Sequence, residues 1–206
     1  MDNSVGAAPE RDGRELRGVP TRRAILRAAA ELIADLGWGN VTTRAIAERA
    51  GVPHGAISYH FSGKASLLRE AALEANAAAL RLPMALADQA PGVAALVEQT
   101  TTWFAAGGLA GTSVRLLLET AREAARDSAV RSQVAAMIAT YREHLTSLVR
   151  RDQQRGALRA DIPPEGVAAM IAGLLDGLLL HAVIDPALDL GPLVAAMNGL
   201  MEGGSS

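Results

Sequence analysis

The chain has 206 residues, half of them hydrophobic and only 3% aromatic, a composition typical of an all-helical protein. It contains no cysteine, which excludes disulfides, thiolate metal sites and thiol catalysis. The net charge is −2, but residues 11–69 carry ten Arg or Lys against five acids, whereas residues 76–206 carry ten Arg against thirteen acids. This asymmetry is expected when only the N-terminal part meets phosphate.

The first 18 residues lack apolar periodicity, and we expect a disordered arm that contains no signal peptide. Its arginines, together with Arg22 and Arg23, could enter a DNA minor groove, or the arm could simply be a solvated tail. The most apolar stretch of the chain, residues 166–184, is interrupted by Asp176 and His181. We therefore expect no membrane span and a soluble, cytoplasmic protein.

Two helices are predicted next. The first covers residues 21–36 and ends at Gly37, a residue typical of helix C-termini. The second begins at Thr42 or Thr43, since either hydroxyl can cap a helix. After it, Gly51 supplies the left-handed backbone that a sharp turn between two helices requires.

A short third helix is predicted over residues 53–60, with Ile57 and Phe61 as its buried stripe. The fourth is predicted over residues 62–82, with Ser62 as its cap and an end at Pro83. Two short helices joined by a glycine-containing turn, the second with a polar outer face, are typical of a helix-turn-helix, whose second helix enters the DNA major groove.

The rest of the chain predicts helices over residues 92–106, 112–126, 128–155, 164–184 and 192–201. The helix predicted over residues 164–184 is apolar nearly all round, so we expect it to be buried between subunits. With the last helix it would form a two-fold four-helix interface. The predicted dimer contacts are Ala169, Gly173, Leu174, Gly177, Leu180, His181, Val194 and Met197.

Large side chains in this body could line an apolar ligand cavity with polar anchors, or they could form an ordinary core. The candidate ligand residues are Trp103, Phe104, Arg115, Leu116, Glu119, Met137, Tyr141 and His144. The helix predicted over residues 62–82 joins the helix-turn-helix to the body. A ligand that moved this helix would therefore shift the two recognition helices of a dimer.

The stretch TTRAIAERAGVPHGAISYHFSGKASLL resembles the N-terminal domain of TetR-type transcriptional regulators. The most specific part is the aromatic run that leads to Gly63 and Lys64, followed by the apolar pair Leu67 and Leu68. The resemblance covers about residues 21–70. It implies an all-α homodimer that binds palindromic operators and usually represses until a small ligand binds.

The resemblance also implies roles for individual residues. Thr43 and Arg44 match positions that contact phosphates and bases, and Tyr59, His60 and Lys64 match positions that contact the DNA backbone. The base-facing positions are His54, Gly55, Ala56 and Ser58. Alternatively, Tyr59 and His60 only pack between the third and fourth helices. The recognition helix contains no Arg, Lys, Asn or Gln, so we expect Arg44 and DNA shape to carry much of the specificity.

We thus expect an all-α fold of about nine helices, with an arm (1–18), a three-helix helix-turn-helix domain (19–66) and a helical ligand-binding and dimerisation domain (67–206). The expected function is that of a repressor, released from its operator by a small, largely apolar ligand. Its expected partners are double-stranded operator DNA, a second copy of the chain and an unidentified effector, without a membrane, cofactor, metal or enzymatic activity. Two alternatives stay open: a DNA-binding regulator without a small-molecule ligand, and a helical enzyme or carrier.

Overall fold

The computed structural model describes residues 12–108, 111–185, 187–192, 195, 196 and 199, with the backbone alone for residues 12–18. Within these ranges every regular element is helical, which confirms the predicted all-α class. The predicted helix over residues 192–201 lies largely outside the described residues. The α-helices are α1 (Asp12–Leu36), α2 (Thr43–Ala50), α3 (Gly55–His60), α4 (Lys64–Gln89), α5 (Val93–Ala105), α6 (Thr112–Ala124), α7 (Ser128–Gln154) and α8 (Pro164–Ile184).

The chain forms two compact units, Met1–Ala75 and Asn76–Ser206, and α4 contributes to both. The domain boundary predicted after residue 66 falls within α4 and stays a prediction. The first turns of α4 are tied to α1 by an ion pair between Arg22 and Glu70.

The two helix ends that differ most from prediction both involve a proline. Helix α1 begins at Asp12 rather than at residue 21 and contains Pro20, so residues 12–18 are helical rather than part of an arm. Helix α4 continues through Pro83 to Gln89. A proline removes one backbone hydrogen bond but does not always end a helix. In α4, the residues beyond it include Ala87, which is buried in the core of the second unit, so packing outweighs the local signal.

The α2–α3 segment agrees closely with prediction. Thr42 caps α2, because its Oγ1 accepts a hydrogen bond of 3.1 Å from the amide of Ala45. Gly51 follows with φ 66° and ψ 33°, the predicted left-handed conformation. Helix α4 begins at Lys64, so the residue before its first turn is Gly63 rather than the predicted cap Ser62.

The first unit has a continuous apolar core. Helix α1 packs against α2, and α2 packs against α3. Ile57 and Phe61 are buried as predicted. The fully buried side chains of this unit include Ile25, Ile33, Val41, Ile46, Leu67 and Leu68. Because α3 buries one apolar stripe here, its opposite side chains point away from the core.

The second unit is built on α7, which packs against both α6 and α8, while α5 also contacts α7 and α8. Its core joins α5, α7 and α8 through Leu96, Val97, Leu145, Leu148, Val149, Ala168, Ile171, Leu175 and Leu178. A buried carboxylate closes the start of α5: Asp152 Oδ2 accepts a hydrogen bond of 2.9 Å from the amide of Val93. Its Oδ1 lies 2.7 Å from Arg155 Nη2.

Helix α8 buries only one side within the single chain. It is long and apolar enough to cross a membrane by length and composition, but core helices of soluble proteins meet the same criterion. Its opposite side leaves Met170 75% and Ile184 72% exposed. The expectation that α8 is buried nearly all round is therefore not met by this chain alone.

Candidate nucleic-acid interface

The outer surface of α2, α3 and the start of α4 carries all nine residues predicted to contact DNA. None of them is buried. Six are exposed, namely Arg44, His54, Gly55, Ser58, Tyr59 and Lys64, and three are half-buried, namely Thr43, Ala56 and His60. The helix-turn-helix geometry therefore presents this set to solvent from three consecutive elements of one unit.

Tyr59 and His60 differ in their surroundings. Tyr59 is 80% exposed, so it does not pack between α3 and α4. Its ring meets the His60 ring edge-on, with the centroids 5.0 Å apart. His60 is half-buried and also lies 6.4 Å from the Phe61 ring. His60 is therefore the inner member of the pair, and Tyr59 is the one fully available to a partner.

Phe61 is held by a contact that the sequence did not indicate. The guanidinium of Arg22 lies 5.0 Å from the centroid of the Phe61 ring, and Arg22 is also paired with Glu70. Arg22 thus links α1 to the end of α3 and to α4 instead of extending from a flexible arm. No local spacing could reveal this cluster, because its members are far apart in sequence.

The basic side chains of the first unit divide into two groups. Arg49 lies 3.5 Å from a carboxylate oxygen of Glu31 and 3.4 Å from one of Asp35, so it ties α2 to α1. Arg44 and Lys64 instead stand exposed at the first turns of α2 and α4. The amides of a helix N-terminus also favour an anion, so the start of α4 adds to the attraction of Lys64 for phosphate.

The second unit contains an open cleft of about 830 Å³ between α5, α6, the end of α8 and the segment after it. Of the eight predicted ligand residues, Phe104 and Arg115 line this cleft. Its other lining side chains include three carboxylates that sequence reasoning missed, from Glu98, Asp185 and Asp189. Two of these follow α8, and nothing local in the sequence connects them with α5.

The remaining predicted ligand residues are distributed elsewhere in the second unit. Leu116 is buried, Trp103 is exposed, and Glu119 pairs with Arg122 at 2.6 Å. Met137 is half-buried on α7, and His144 Nδ1 lies 2.6 Å from Asp88 Oδ1. Phe104 and Arg115 are thus the predicted ligand residues that line the described cleft, and the ligand-binding role of the set stays a prediction.

Tyr141 packs against the core of the second unit and is not among the residues that line the cleft. Burial, and then the negative charge of Asp176, raise the pKa of Tyr141 to about 12. Burial also raises the pKa of Asp176. A phenol on α7 and a carboxylate on α8 thus interact electrostatically.

Most of the predicted dimer residues on α8 are open to solvent in the single chain. Ala169, Gly173, Leu180 and His181 are exposed, and Gly177 is half-buried. Leu174 instead packs against the core of its own chain. Val194 and Met197 lie outside the described residues. The exposed Met170 and Ile184 extend this surface and were missed by the prediction.

Two family models match the chain, one for each part. The model described as bacterial regulatory proteins of the tetR family matches residues 25–71. The model described as the C-terminal part of BetI-type transcriptional repressors matches residues 94–201, more than half of the chain. Both descriptions are of transcriptional regulators rather than enzymes.

Individual relatives agree with these matches. The class C tetracycline repressor of Escherichia coli is 47% identical over 47 residues, which span 23% of this chain and 22% of that relative. A protein described as a transcriptional regulator from Saccharomonospora viridis, solved with choline, has a TM-score of 0.73 at 23% identity and covers 89% of this chain and 96% of its own.

FadR from Bacillus subtilis, solved with stearoyl-CoA, has a TM-score of 0.65 at 21% identity and covers 87% of this chain and 95% of its own. At these identities the two structures establish the shared fold alone. The family models extend the likeness from fold to family, because they match the helix-turn-helix and most of the body. The chain therefore belongs to the TetR family of DNA-binding transcriptional regulators, with a C-terminal domain of the BetI type.

Proposed function

We propose that this protein is a cytoplasmic, homodimeric repressor that leaves a palindromic operator when a small effector binds its C-terminal domain. The observation that carries the proposal is the placement of all nine predicted DNA-contacting residues on the solvent side of α2, α3 and the start of α4. Family membership supports DNA binding as the role of this surface.

In the proposed complex, α3 lies in the major groove. Gly55, at its start, has open space where a Cβ would be, so packing within the chain gives no reason for glycine there. A glycine in a helix costs up to about 1 kcal/mol relative to alanine, and close approach of DNA to the backbone is a reason to keep one. Arg44 reads bases beside this helix, and Lys64 contacts phosphate.

The outer side of α8 supports the proposed dimer. Exposed apolar patches commonly mark surfaces that meet a partner. A Cβ added at Gly173 or at Gly177 would have no atom of the chain within 4 Å, so packing within one chain does not require either glycine. Small residues spaced by four allow a second helix to approach closely, and we assign that helix to a second copy of the chain.

The cleft in the second unit is the proposed effector site. Phe104, Val183, Leu188 and Leu190 give it apolar walls, which fits a small, largely apolar molecule. Three carboxylates, from Glu98, Asp185 and Asp189, outnumber the single guanidinium of Arg115 in the lining, which favours an effector that also carries a positive charge. Choline has that charge, whereas stearoyl-CoA carries several phosphates that these carboxylates would repel.

Selection of bound DNA from a random pool tests the proposal, followed by binding to the selected DNA with and without choline or stearoyl-CoA. We expect enrichment of a palindrome with two half-sites, and weaker binding in the presence of choline. If no sequence is enriched, the proposed function is wrong. If DNA is enriched but neither these two compounds nor a wider compound screen changes the affinity, the alternative of a regulator without a small-molecule effector holds.

A further inference from the structure

The first residue of α2 and the residue before α3 are joined by their side chains. Thr43 Oγ1 lies 3.2 Å from His54 Nε2, a hydrogen bond across the turn between the two helices. The hydroxyl of Thr43 is not needed to cap α2, because Thr42 performs that role. The contact therefore has no evident purpose in forming α2.

The contact between Thr43 and His54 has no evident purpose in forming α3 either. His54 occupies the N-cap position of α3 with φ −53° and ψ −37°, and its side chain makes no capping hydrogen bond. The ring is exposed, and it is held by α2 through one nitrogen. In the part of the chain that the structure describes, the second nitrogen, Nδ1, has no hydrogen-bond partner.

We propose that Thr43 is a positioning residue for His54, and that His54 reads one base pair of the operator through Nδ1. This inference rests on the proposed DNA-binding function and adds a specificity-determining pair to it. It also changes the role implied for Thr43 by resemblance, from a direct contact with DNA to an indirect one through a neighbouring ring.

The chemistry of the pair permits two kinds of reading. A threonine hydroxyl can both donate and accept, so it can hold either neutral tautomer of the imidazole. When Nε2 carries the proton, Thr43 accepts, and Nδ1 can accept from the amino group of cytosine or adenine. When Nδ1 carries the proton, Thr43 donates, and Nδ1–H can donate to guanine N7 or O6. The operator's own base pair decides which tautomer is used, and the discrimination comes from the fixed position of Nδ1, which is met only by a base pair with a polar atom at that point of the groove.

This role has weight because α3 lacks the side chains that make bidentate base contacts. A single hydrogen bond from a mobile ring discriminates poorly, since the ring can turn to suit another base. Fixing Nε2 on α2 removes that freedom. The predicted consequence is a preference at one base pair per half-site that depends on Thr43 although Thr43 does not touch the base.

The experiment measures the affinities of the wild type, Thr43→Val, Thr43→Ser, His54→Ala and the Thr43→Val/His54→Ala double variant. Each is tested on the selected operator and on operators altered at every base pair of the half-site. We expect Thr43→Val and His54→Ala to lose about five- to tenfold discrimination at the same base pair, the size of one hydrogen bond. The double variant should show the same discrimination as His54→Ala alone, and Thr43→Ser should retain the wild-type preference.

Thr42→Val is the matched control, because it makes the same change one residue earlier and removes the cap instead. We expect it to lower the melting temperature while leaving base preferences unchanged. If Thr43→Val fails to fold, Thr43→Ala provides the same comparison.

Three results would overturn the inference: an equal loss of affinity on all sequences, additive effects in the double variant, or full discrimination by Thr43→Val. In each case the wild type still binds its operator, so the proposed function survives. Failure of the wild type to enrich any DNA would instead remove both.

Discussion

Asp152 shows how one buried side chain organises the second unit. Its side chain is 1% exposed, and it accepts a hydrogen bond from the amide of Val93 while facing Arg155. A Cβ at Gly92 would lie 2.9 Å from Oδ2 of the buried Asp152, so a larger residue there would disturb this carboxylate. The start of α5 and the end of α7 are thus fixed to each other by a single carboxylate.

We expect Asp152→Ala to lower the free energy of unfolding by about 2–3 kcal/mol, because the amide of Val93 loses a charged partner in a buried place. Denaturant unfolding followed by circular dichroism measures this change. Asp161→Ala is the control, since Asp161 pairs with Arg159 on the surface and its loss should have no measurable effect. Equal stability of the two variants would contradict the role assigned to Asp152.

The tyrosine on α7 offers a test of the electrostatics beside α8. Its raised pKa means that the folded state holds the phenolic proton more tightly than the unfolded state does. This contribution to stability is fully present below pH 10 and is lost as the pH rises from 10 to about 12. In a Tyr59→Phe variant, tyrosinate absorbance should appear near pH 12, and Asp176→Asn should lower that pH. Ionisation near pH 10 in a protein that is still folded would refute the assignment.

At the scale of elements, the accuracy of the sequence-based predictions follows the range of the interactions. The turn after α2 was predicted correctly because its determinants, the Thr42 cap and the left-handed Gly51, are local. The start of α1 and the end of α4 were not predicted correctly. Residue propensity is a weak guide to helix boundaries around Pro20, and packing outweighs the helix-ending tendency of Pro83. The Arg22 contact with Phe61 was missed because it joins distant parts of the chain.

The turn itself provides a test. Gly51 has φ 66°, a conformation that costs other residues roughly 1–2 kcal/mol. We expect Gly51→Ala to destabilise the first unit by about that amount and to weaken operator binding, because the turn sets the position of α3. Gly39→Ala is the matched control: the built Cβ has nothing within 4 Å, and its φ is not positive. Thermal melts of both variants decide the point, and equal melting temperatures would count against a strained turn.

At the scale of the whole molecule, the helix-turn-helix and the apolar α8 could be recognised from sequence, but the cleft could not. A cleft depends on which distant residues the fold brings together, and here α5 and α6 meet the segment that follows α8. Periodicity identifies the buried side of each helix but not its neighbours. For that reason only two of the predicted ligand residues line the cleft.

The proposed dimer predicts a selective effect at Gly173. The space around it is open within one chain, so Gly173→Leu should fold normally and yet prevent close approach of a second α8. We expect light scattering at micromolar concentration to show a dimer for the wild type and a monomer for this variant. Ala135→Leu, at an exposed position of α7, is the control and should remain dimeric. A wild-type monomer, or a Gly173→Leu dimer, would contradict the proposed interface.

The salt dependence of operator affinity tests whether the exposed surface of α2, α3 and the start of α4 binds DNA. Each phosphate contact that is lost reduces the slope of log affinity against log salt by about one. We predict that Lys64→Ala lowers this slope by about one per subunit, equally on the selected operator and on a scrambled sequence. An unchanged slope, with both sequences bound as by the wild type, would contradict the account.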